Sequence, residues 1–456
     1  MAVDNEPSQP PATRLKAQVG LIVQGLRDSR PSKLVDVEPP DWQERGTVDY
    51  LYQRDAVLVR DEDLDRVLAL LVDPAVLDSL INGLTLLTYQ GVRVDGEERR
   101  GLTVPQVLAV LDDSVGVGVA APNHVVSIAP GATYCPATEP EETGATDPDP
   151  GVCPGQKDGT GVLATVVDTG LVAGAPAGHA WLAGVEGIED PIGADRKIPP
   201  YAGHGTFIAG VLRCMAPASE VFVERVFQQG GALLESDLVD RLDKALDRNP
   251  DIISLSAGTR TRSNLPPLSF EAFWERRLRH YKGIVLVAAA GNDGDRGPFW
   301  PAAFPWTVSV GALAANWRSR ASFSNHGGWV DVYAPGEGLV NAYAEGTFVC
   351  QEPPHKEETR TFHGMARWSG TSFSTPLVAG LIAARMSRTG ENGREAAWAL
   401  LARAQTKALP GVGAVLLPCD DDEAGGCGCG HRPDHCGCGH RPDHRGCGHR
   451  PDHHGR

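Results

Sequence analysis

The sequence predicts an α/β protein built on a doubly wound, mainly parallel sheet, with a small α/β domain before it and a disordered tail after it. Apolar stretches with the character of buried strands alternate with helical stretches in the second half of the chain. The strands are predicted at 162–168, 220–227, 251–256 and 283–291, and the clearest helices at 235–248 and 270–281. Apolar strands separated by helices are typical of a parallel sheet that is covered on both faces. Such sheets bind ligands beyond the carboxyl ends of their strands, so the chemistry is expected there.

The front of the chain is predicted to hold a flexible arm followed by a small domain. Residues 1–46 are polar and contain several prolines, although 15–26 has the spacing of a short amphipathic helix. Residues 47–128 have a β-α-β-α-β order, which predicts a compact α/β domain. Its segments are a strand at 50–60, a helix at 63–72, a strand at 84–94, a helix at 103–113 and an extended stretch at 115–128.

Two other segments have compositions that do not build a core. Residues 129–158 are rich in Pro, Gly, Thr and acids, with no basic residue between Glu139 and Asp149, and are predicted to be a linker. The main domain then spans 159–412. Residues 413–456 are predicted to be a disordered tail, because they contain the nine-residue repeat CGCGHRPDH, which is dense in Gly and Pro.

Charge and hydropathy exclude several classes of function. The formal charge is −16, and residues 1–150 contribute −13 of it through 25 acidic and 12 basic residues. An acidic chain without a basic block repels phosphate backbones and anionic lipid, so a nucleic-acid or membrane-surface partner is not expected. The longest apolar stretch, near 283–291, is far shorter than the roughly 20 residues of a membrane-spanning helix. The first residues lack an apolar signal core, so we expect a cytoplasmic protein. Export by a route that needs no signal peptide is left open as an alternative.

The tail carries candidate metal ligands. Thiolate and imidazole groups bind Zn, Ni or Cu, and each repeat brings both types within nine residues. The alternative is a solvated repeat without a ligand. The candidate ligands are Cys427, Cys429, His431, His435, Cys436, Cys438, His440, His444, Cys447, His449 and His453.

Three segments supply the parts of a nucleophilic site. Asp168 lies in VVDTG at the end of a predicted strand, His204 in GHGTFIAG at a helix start, and Ser372 in SGTSFSTPLVAG at another helix start. A serine hydroxyl attacks well only when an imidazole takes its proton, and a carboxylate must orient that imidazole and stabilise its cation. The three segments therefore predict a Ser-His-Asp site.

These segments resemble, in order and approximate spacing, the signature segments of the subtilisin-like serine proteases, the subtilases. The resemblance covers residues 160 to about 409 and implies a serine endopeptidase that needs no cofactor for catalysis. It makes Asp168 the orienting carboxylate, His204 the general base and acid, and Ser372 the nucleophile. It also makes Asn292 of AAAGND the donor to the oxyanion.

The resemblance further implies how a peptide substrate would bind. DIISLSAG matches the family strand that pairs with the substrate backbone, and AAAG matches a wall of the primary specificity pocket. The residues so implied are Ser256, Ala257 and Gly258 for the strand, and Ala289, Ala290 and Gly291 for the wall.

The sequence also departs from the family pattern. Phe207 stands where relatives usually have a second histidine, which is outside the triad. The turn 214–219 is too short for the calcium-binding loop of many relatives, so calcium is not expected there. The stretch from Asn292 to Pro301 is short and bulky, which places Phe299 or Trp300 near the base of the pocket and predicts a preference for small side chains.

The small front domain gains a role from this resemblance. Its order and its ending, GVGVAAPNHVVSI, are similar to the inhibitory pro-region that precedes many subtilase domains, so the chain's own residues 47–128 are expected to inhibit the active site. The linker 129–158 is then the candidate processing region. Two alternatives remain: an inactive, peptide-binding pseudo-protease, and a metal-binding protein that acts through its tail.

Overall fold

The computed structural model describes residues 11–79, 83–128, 138–228 and 230–418. The predicted tail ligands, from Cys427 to His453, lie outside the described residues. None of the helices in these described ranges combines the length and the hydrophobicity of a membrane-spanning segment.

The front of the chain forms an α/β unit with two antiparallel sheets. Its helices and strands are α1 (Pro11–Ser29), β1 (Val35–Glu38), α2 (Trp42–Arg45), β2 (Tyr50–Arg60), α3 (Leu64–Leu68), β3 (Leu71–Val72), β4 (Ala75–Ser79), β5 (Leu84–Thr88), β6 (Gly91–Val94), β7 (Glu97–Arg100), α4 (Val104–Val115) and β8 (Ala120–Ser127). Strand β2 lies between β5 and β8, and α4 packs beneath them in one core. A capping box between Thr103 and Gln106 fixes the start of α4.

The predicted flexible arm is wrong for residues 11–45. Strand β1 pairs antiparallel with β2, and α1 packs with one apolar stripe on the front unit. Leu15 and Val19 share one apolar cluster with Val48, while Ile22 and Leu26 share another with Val125 and Leu234. The periodicity at 15–26 indicated the helix, but no feature of the sequence indicated the surface that holds it.

The main domain is a seven-stranded parallel sheet with helices on both faces, as predicted. Its elements are β9 (Leu163–Asp168), β10 (Leu171–Val172), α5 (Ala175–Gly178), β11 (Glu186–Gly187), β12 (Glu189–Asp190), α6 (His204–Met215), β13 (Glu220–Arg225), β14 (Ala232–Leu234), α7 (Glu235–Leu246), β15 (Ile252–Leu255), α8 (Leu268–Arg276), β16 (Val285–Ala289), β17 (Thr307–Leu313), β18 (Val332–Pro335), β19 (Leu339–Val349), β20 (Thr359–Trp368), α9 (Thr371–Thr389) and α10 (Gly393–Thr406). The sheet order is β11-β13-β9-β15-β16-β17-β18. Helices α6, α9 and α10 pack on one face, and α7 and α8 pack on the other.

One sheet is shared by the two units. Strand β14 belongs to the main domain but pairs antiparallel with β8 of the front unit, with Ala232 opposite Ser127. The front unit also rests on α7 and α8. Leu58 and Leu86 pack on Leu268 and Ala272 of α8, and Arg60 forms ion pairs with the same helix.

The predicted linker is also wrong from residue 138 onward. Residues 138–149 lie on the antiparallel hairpin β19–β20: Glu141 exchanges backbone hydrogen bonds with Arg367 of β20, and Asp149 does so with Val340 of β19. Cys153 is buried in the main core. At the other end, residues 413–418, predicted to begin the tail, also pack on the main domain, because Val415 bridges to Tyr333.

Helix α1 connects the front unit to the hairpin. Gln18 donates to the carboxylate of Glu352 at 2.9 Å, and Arg14 donates to the carbonyl of Pro353 at 2.6 Å. At the far end of the helix, Arg30 and Lys33 both pair with Asp237 of α7. Burial raises the pKa of Glu352 from 4.5 to about 7. The charge of Glu139 also raises this pKa, whereas the hydrogen bond from Gln18 lowers it.

We predict that the docking of α1 weakens as pH rises from about 4.5 to about 7. Burial of Glu352 against the docked helix raises its pKa, and undocking would return the carboxyl toward its ordinary pKa of 4.5. The docked state therefore holds the proton in this window, while an undocked Glu352 loses it. The docking free energy is therefore most favourable near pH 4.5, becomes less favourable as the pH rises, and levels off above pH 7.

The docking free energy is measured by hydrogen exchange of residues 11–29, corrected for the intrinsic pH dependence of exchange. A Glu352→Gln variant should show no such trend, and equal protection of the wild type at pH 5 and pH 8 contradicts the prediction.

Candidate active site

Asp168 and His204 form a fully buried pair. Asp168 ends β9 and His204 begins α6, so the sheet and the helix bring the two side chains together at the carboxyl edge of the sheet. The Nδ1 atom of His204 lies 2.8 Å from Oδ1 of Asp168, and neither side chain is exposed. The same oxygen accepts a bond from the backbone N–H of Thr169. A carboxylate held in this way orients the imidazole and stabilises its cation.

Ser372 lies at the start of the long helix α9, beside this pair. The ring of its neighbour Phe373 contacts the ring of His204 at 5.4 Å between centroids. Among the described residues, Nε2 of His204 is buried and has no hydrogen-bond partner, so the bond to the Ser372 hydroxyl is not formed in this structure. Catalytic hydrogen bonds are often long before substrate binds and shorten in the complex. The structure thus brings the three predicted residues to one site with the Asp-His half assembled.

Asn292 is held by the start of the same helix. Its Oδ1 accepts from both the backbone N–H and the hydroxyl of Thr371, each at 2.9 Å. This arrangement fixes the orientation of the side-chain amide, because its Oδ1 end is held by Thr371. Ser256 donates to the carbonyl of Ser372 at 2.9 Å, which fixes the backbone on the other side of the nucleophile.

The predicted substrate strand is occupied by the chain itself. Gly258 exchanges two backbone hydrogen bonds with Ser127, each 3.0 Å long, and Ile128 donates to the carbonyl of Gly231 at 2.9 Å. The end of β8 is therefore an extended strand held on both edges. Main-chain pairing of this kind binds peptides with little dependence on their side chains.

The predicted pocket wall is packed against an aromatic ring. Phe299 is fully buried, and a Cβ atom added to Gly258 would lie 2.2 Å from its ring. A Cβ added to Gly291 would lie 3.0 Å from the same ring. Phe299 therefore fills the space between the strand 256–258 and the wall 289–291, whereas Trp300 bonds through its backbone to Thr259.

Two residues of the site were missed in the sequence. Trp368 contacts the His204 ring edge-on at 5.3 Å, and its indole N–H donates to the carbonyl of Thr138 at 2.6 Å. Asp190 accepts from the Thr169 hydroxyl and from the Gly203 N–H, so it braces the residues next to Asp168 and His204. Burial raises the pKa of Asp190 to about 6. The position of Trp368, four residues before Ser372, was the available signal for the first; nothing in the sequence marked the second.

The described residues offer no resident metal centre. Within 11–79, 83–128, 138–228 and 230–418, no three His, Cys, Asp or Glu side chains form a group that could hold a metal ion. The turn that was expected to lack the calcium loop joins α6 to β13 through residues 216–219. Phe207, in place of a second histidine, packs on Phe373 at 4.5 Å.

The fold and the site together match a known family. A family model described as the subtilase family matches residues 159–416, more than half of the chain. The chain belongs to the subtilase family.

Individual relatives support this membership. Thermitase from Thermoactinomyces vulgaris is 30% identical over 252 residues, which are 52% of this chain and 80% of that protein. The thermophilic serine proteinase of Bacillus sp. (strain AK1) is 33% identical over 202 residues, 42% of this chain and 44% of that protein. Subtilisin E of Bacillus subtilis (strain 168) is 29% identical over 205 residues. The chain spans less than half the length of these last two relatives, 44% of the thermophilic serine proteinase and 48% of subtilisin E.

A solved structure extends the likeness of fold beyond the matched domain. Fervidolysin from Fervidobacterium pennivorans, described as a keratinolytic enzyme related to subtilisin, has a TM-score of 0.53. It is 18% identical, and the match covers 80% of this chain and 60% of that chain. At this identity the likeness concerns the fold alone.

Proposed function

We propose that the protein is a serine endopeptidase that is made as a precursor and cuts itself. The observation that carries this proposal is the buried pair of Asp168 and His204 beside Ser372, with the chain's own β8 lying in the cleft as a substrate would. Family membership supports the reaction, and the geometry supports the roles of the residues.

In the proposed reaction, Nε2 of His204 takes the proton of the Ser372 hydroxyl as its oxygen attacks the peptide carbonyl. Asp168 stabilises the imidazolium that forms. The side-chain amide of Asn292, held by Thr371, and the backbone N–H of Ser372 donate to the oxyanion. His204 then gives its proton to the leaving amine, and water releases the acyl-enzyme by the same steps. A single oxyanion donor of this kind contributes about a hundred- to a thousandfold in kcat.

Inhibition by the front unit follows from how it is held. The pairing of Ser127 and Ile128 occupies the strand on which substrate would bind. Asn123 bonds Ser236 at the start of α7, and Arg262 pairs with Asp112 at 2.7 Å. His124 and Glu235 form a buried pair at the same interface, where burial raises the pKa of Glu235. Release therefore requires several polar contacts and the apolar contact with α8 to break together.

The part of the chain in which self-cleavage would occur is bounded by two positions, one on each side of the triad. Ser127 and Ile128 lie along the substrate strand, and Thr138 is bonded to Trp368, which packs on His204. The nine residues between them, 129–137, connect these two positions. We place the self-cleavage in this interval, within the linker predicted as the processing region.

Self-cleavage is tested by intact mass spectrometry of the wild type and of Ser372→Ala, with a casein assay on both. We expect the wild type to lose about the first 130 residues and to hydrolyse casein. The Ser372→Ala chain should stay whole and inactive. A Ser254→Ala variant, which changes a buried serine of the same strand region, is the matched control and should process normally. If neither wild type nor variant is cut or active, the chain is the peptide-binding pseudo-protease instead.

The position of Phe299 predicts a shallow primary pocket. We expect cleavage after Ala or Gly to be preferred over cleavage after Phe, Tyr or Arg. In Phe299→Ala the removed ring opens the pocket, so kcat/KM for a Phe substrate relative to an Ala substrate should rise about tenfold or more. A peptide library read by mass spectrometry gives both ratios.

Two variants keep this test sharp. Phe299→Leu removes less volume and should shift the ratio in the same direction, which covers the case in which the cavity of Phe299→Ala unfolds the protein. Phe270→Leu changes a buried ring in α8 and should leave specificity unchanged. A wild type that already prefers large residues contradicts the prediction.

A further inference from the structure

Residues 138–142, Thr-Glu-Pro-Glu-Glu, are held along the outer edge of β20 by both backbone and side-chain bonds. Glu141 exchanges two backbone bonds with Arg367, each 2.9 Å long. This is the pattern by which an extended peptide adds a strand to an open sheet edge. The hairpin β19–β20 is a sheet of two strands, so β20 has one edge available for such an addition.

The residues around β20 bind both the acidic side chains and the extended backbone of this segment. The Glu139 carboxylate accepts from the backbone N–H of Gln351 at 2.6 Å, and the Glu142 carboxylate accepts from the N–H of Thr361. Arg360 donates to the carbonyl of Pro140 at 2.6 Å. Trp368 donates to Thr138, so the segment begins against the ring that touches His204.

The segment is tethered where it leaves this edge. Asp149 exchanges backbone bonds with Val340, which is the partner of Arg367 across the hairpin. The chain therefore contacts β20 on one edge and β19 on the other, and it then enters the core at Cys153. A cut within 129–137 would leave these contacts untouched and the segment at high local concentration.

We propose that the outer edge of β20, with Gln351, Arg360, Thr361 and Trp368, is a binding site for an extended acidic peptide on the leaving-group side of the active site. In the intact chain residues 138–142 fill it. After self-cleavage they remain there and hinder substrates that extend beyond the scissile bond. This inference rests on the proposed peptidase function and adds a second inhibitory contact, independent of the front unit.

The test compares two substrates with the same residues before the scissile bond. One is a p-nitroanilide, which has no amino acid after that bond, and the other is an internally quenched peptide with four residues after it. We expect self-processed E139A/E142A to cleave the quenched peptide about tenfold faster than the processed wild type, since two bonds to charged groups are lost. Rates on the p-nitroanilide should be equal. Asp147→Ala, which removes an exposed acid five residues beyond the segment, is the control and should match the wild type on both.

The outcomes separate this inference from the proposed function. Turnover of both substrates with equal ratios in wild type and E139A/E142A overturns the inference alone, as does a mature chain that begins after residue 142. Absence of all turnover overturns the proposed function.

In the case without turnover, a binding measurement still decides. The full chain carries Ser372→Ala, and a site for a sequence-specific protease is inserted within 129–137. The chain is cut with that protease, and hydrogen exchange is then followed at Glu141 and Arg367. Protection that persists after the cut supports the site, and loss of protection overturns it.

Discussion

The structure depends on one strand, the end of β8, which is held between β14 and the backbone of Gly258. This strand joins the sheet of the front unit to the main domain, and in the proposed function it also occupies the place of a substrate. Its backbone bonds run to both neighbours, so the strand is paired on both edges. The packing of Leu58 and Leu86 on α8, and the bonds of Asn123 to α7, support this strand from behind.

Three elements lie over or beside the cleft, and each is held there by a different kind of contact. Strand β8 uses main-chain pairing, α1 uses an apolar stripe with a buried Gln18 and Glu352 contact, and residues 138–142 use carboxylates and an arginine. Leu21 of α1 and Glu139 line the same small cavity beside Trp368, so the last two covers meet next to the active site. Activation therefore requires the release of several separate contacts, which depend differently on pH and salt.

The sequence was most informative where chemistry demands particular residues at particular positions. Asp168, His204 and Ser372 stand in short motifs whose local structure, a strand end or a helix start, is also readable from the pattern. A bulky residue at the pocket, Phe299 or Trp300, was predictable because the stretch after Asn292 is short and bulky, but the sequence did not decide between the two. The alternation of strands and helices was enough for the sheet, because its central strands β9, β15 and β16 are mainly apolar.

What the sequence did not show is held by partners far away in the chain. Residues 138–149 are polar and rich in proline, and they are ordered by the edges of a hairpin some 200 residues later. Helix α1 was readable as a helix but was assigned to a flexible arm, because its apolar stripe fits a surface made by two separate units. Asp190 lies in a stretch without a motif, and its bonds to Thr169 and Gly203 arise from the fold alone.

The central claim is that β8 lies in the cleft as a bound strand, and backbone hydrogen exchange on the full Ser372→Ala chain tests it most directly. The N–H groups of Ser127, Ile128 and Gly258 should be strongly protected. A second Ser127→Pro substitution removes one of the donors and should lower protection at Gly258, while leaving the amides of β16 in the main sheet unchanged. Rapid exchange at Gly258 in the chain that carries Ser372→Ala alone would contradict the account.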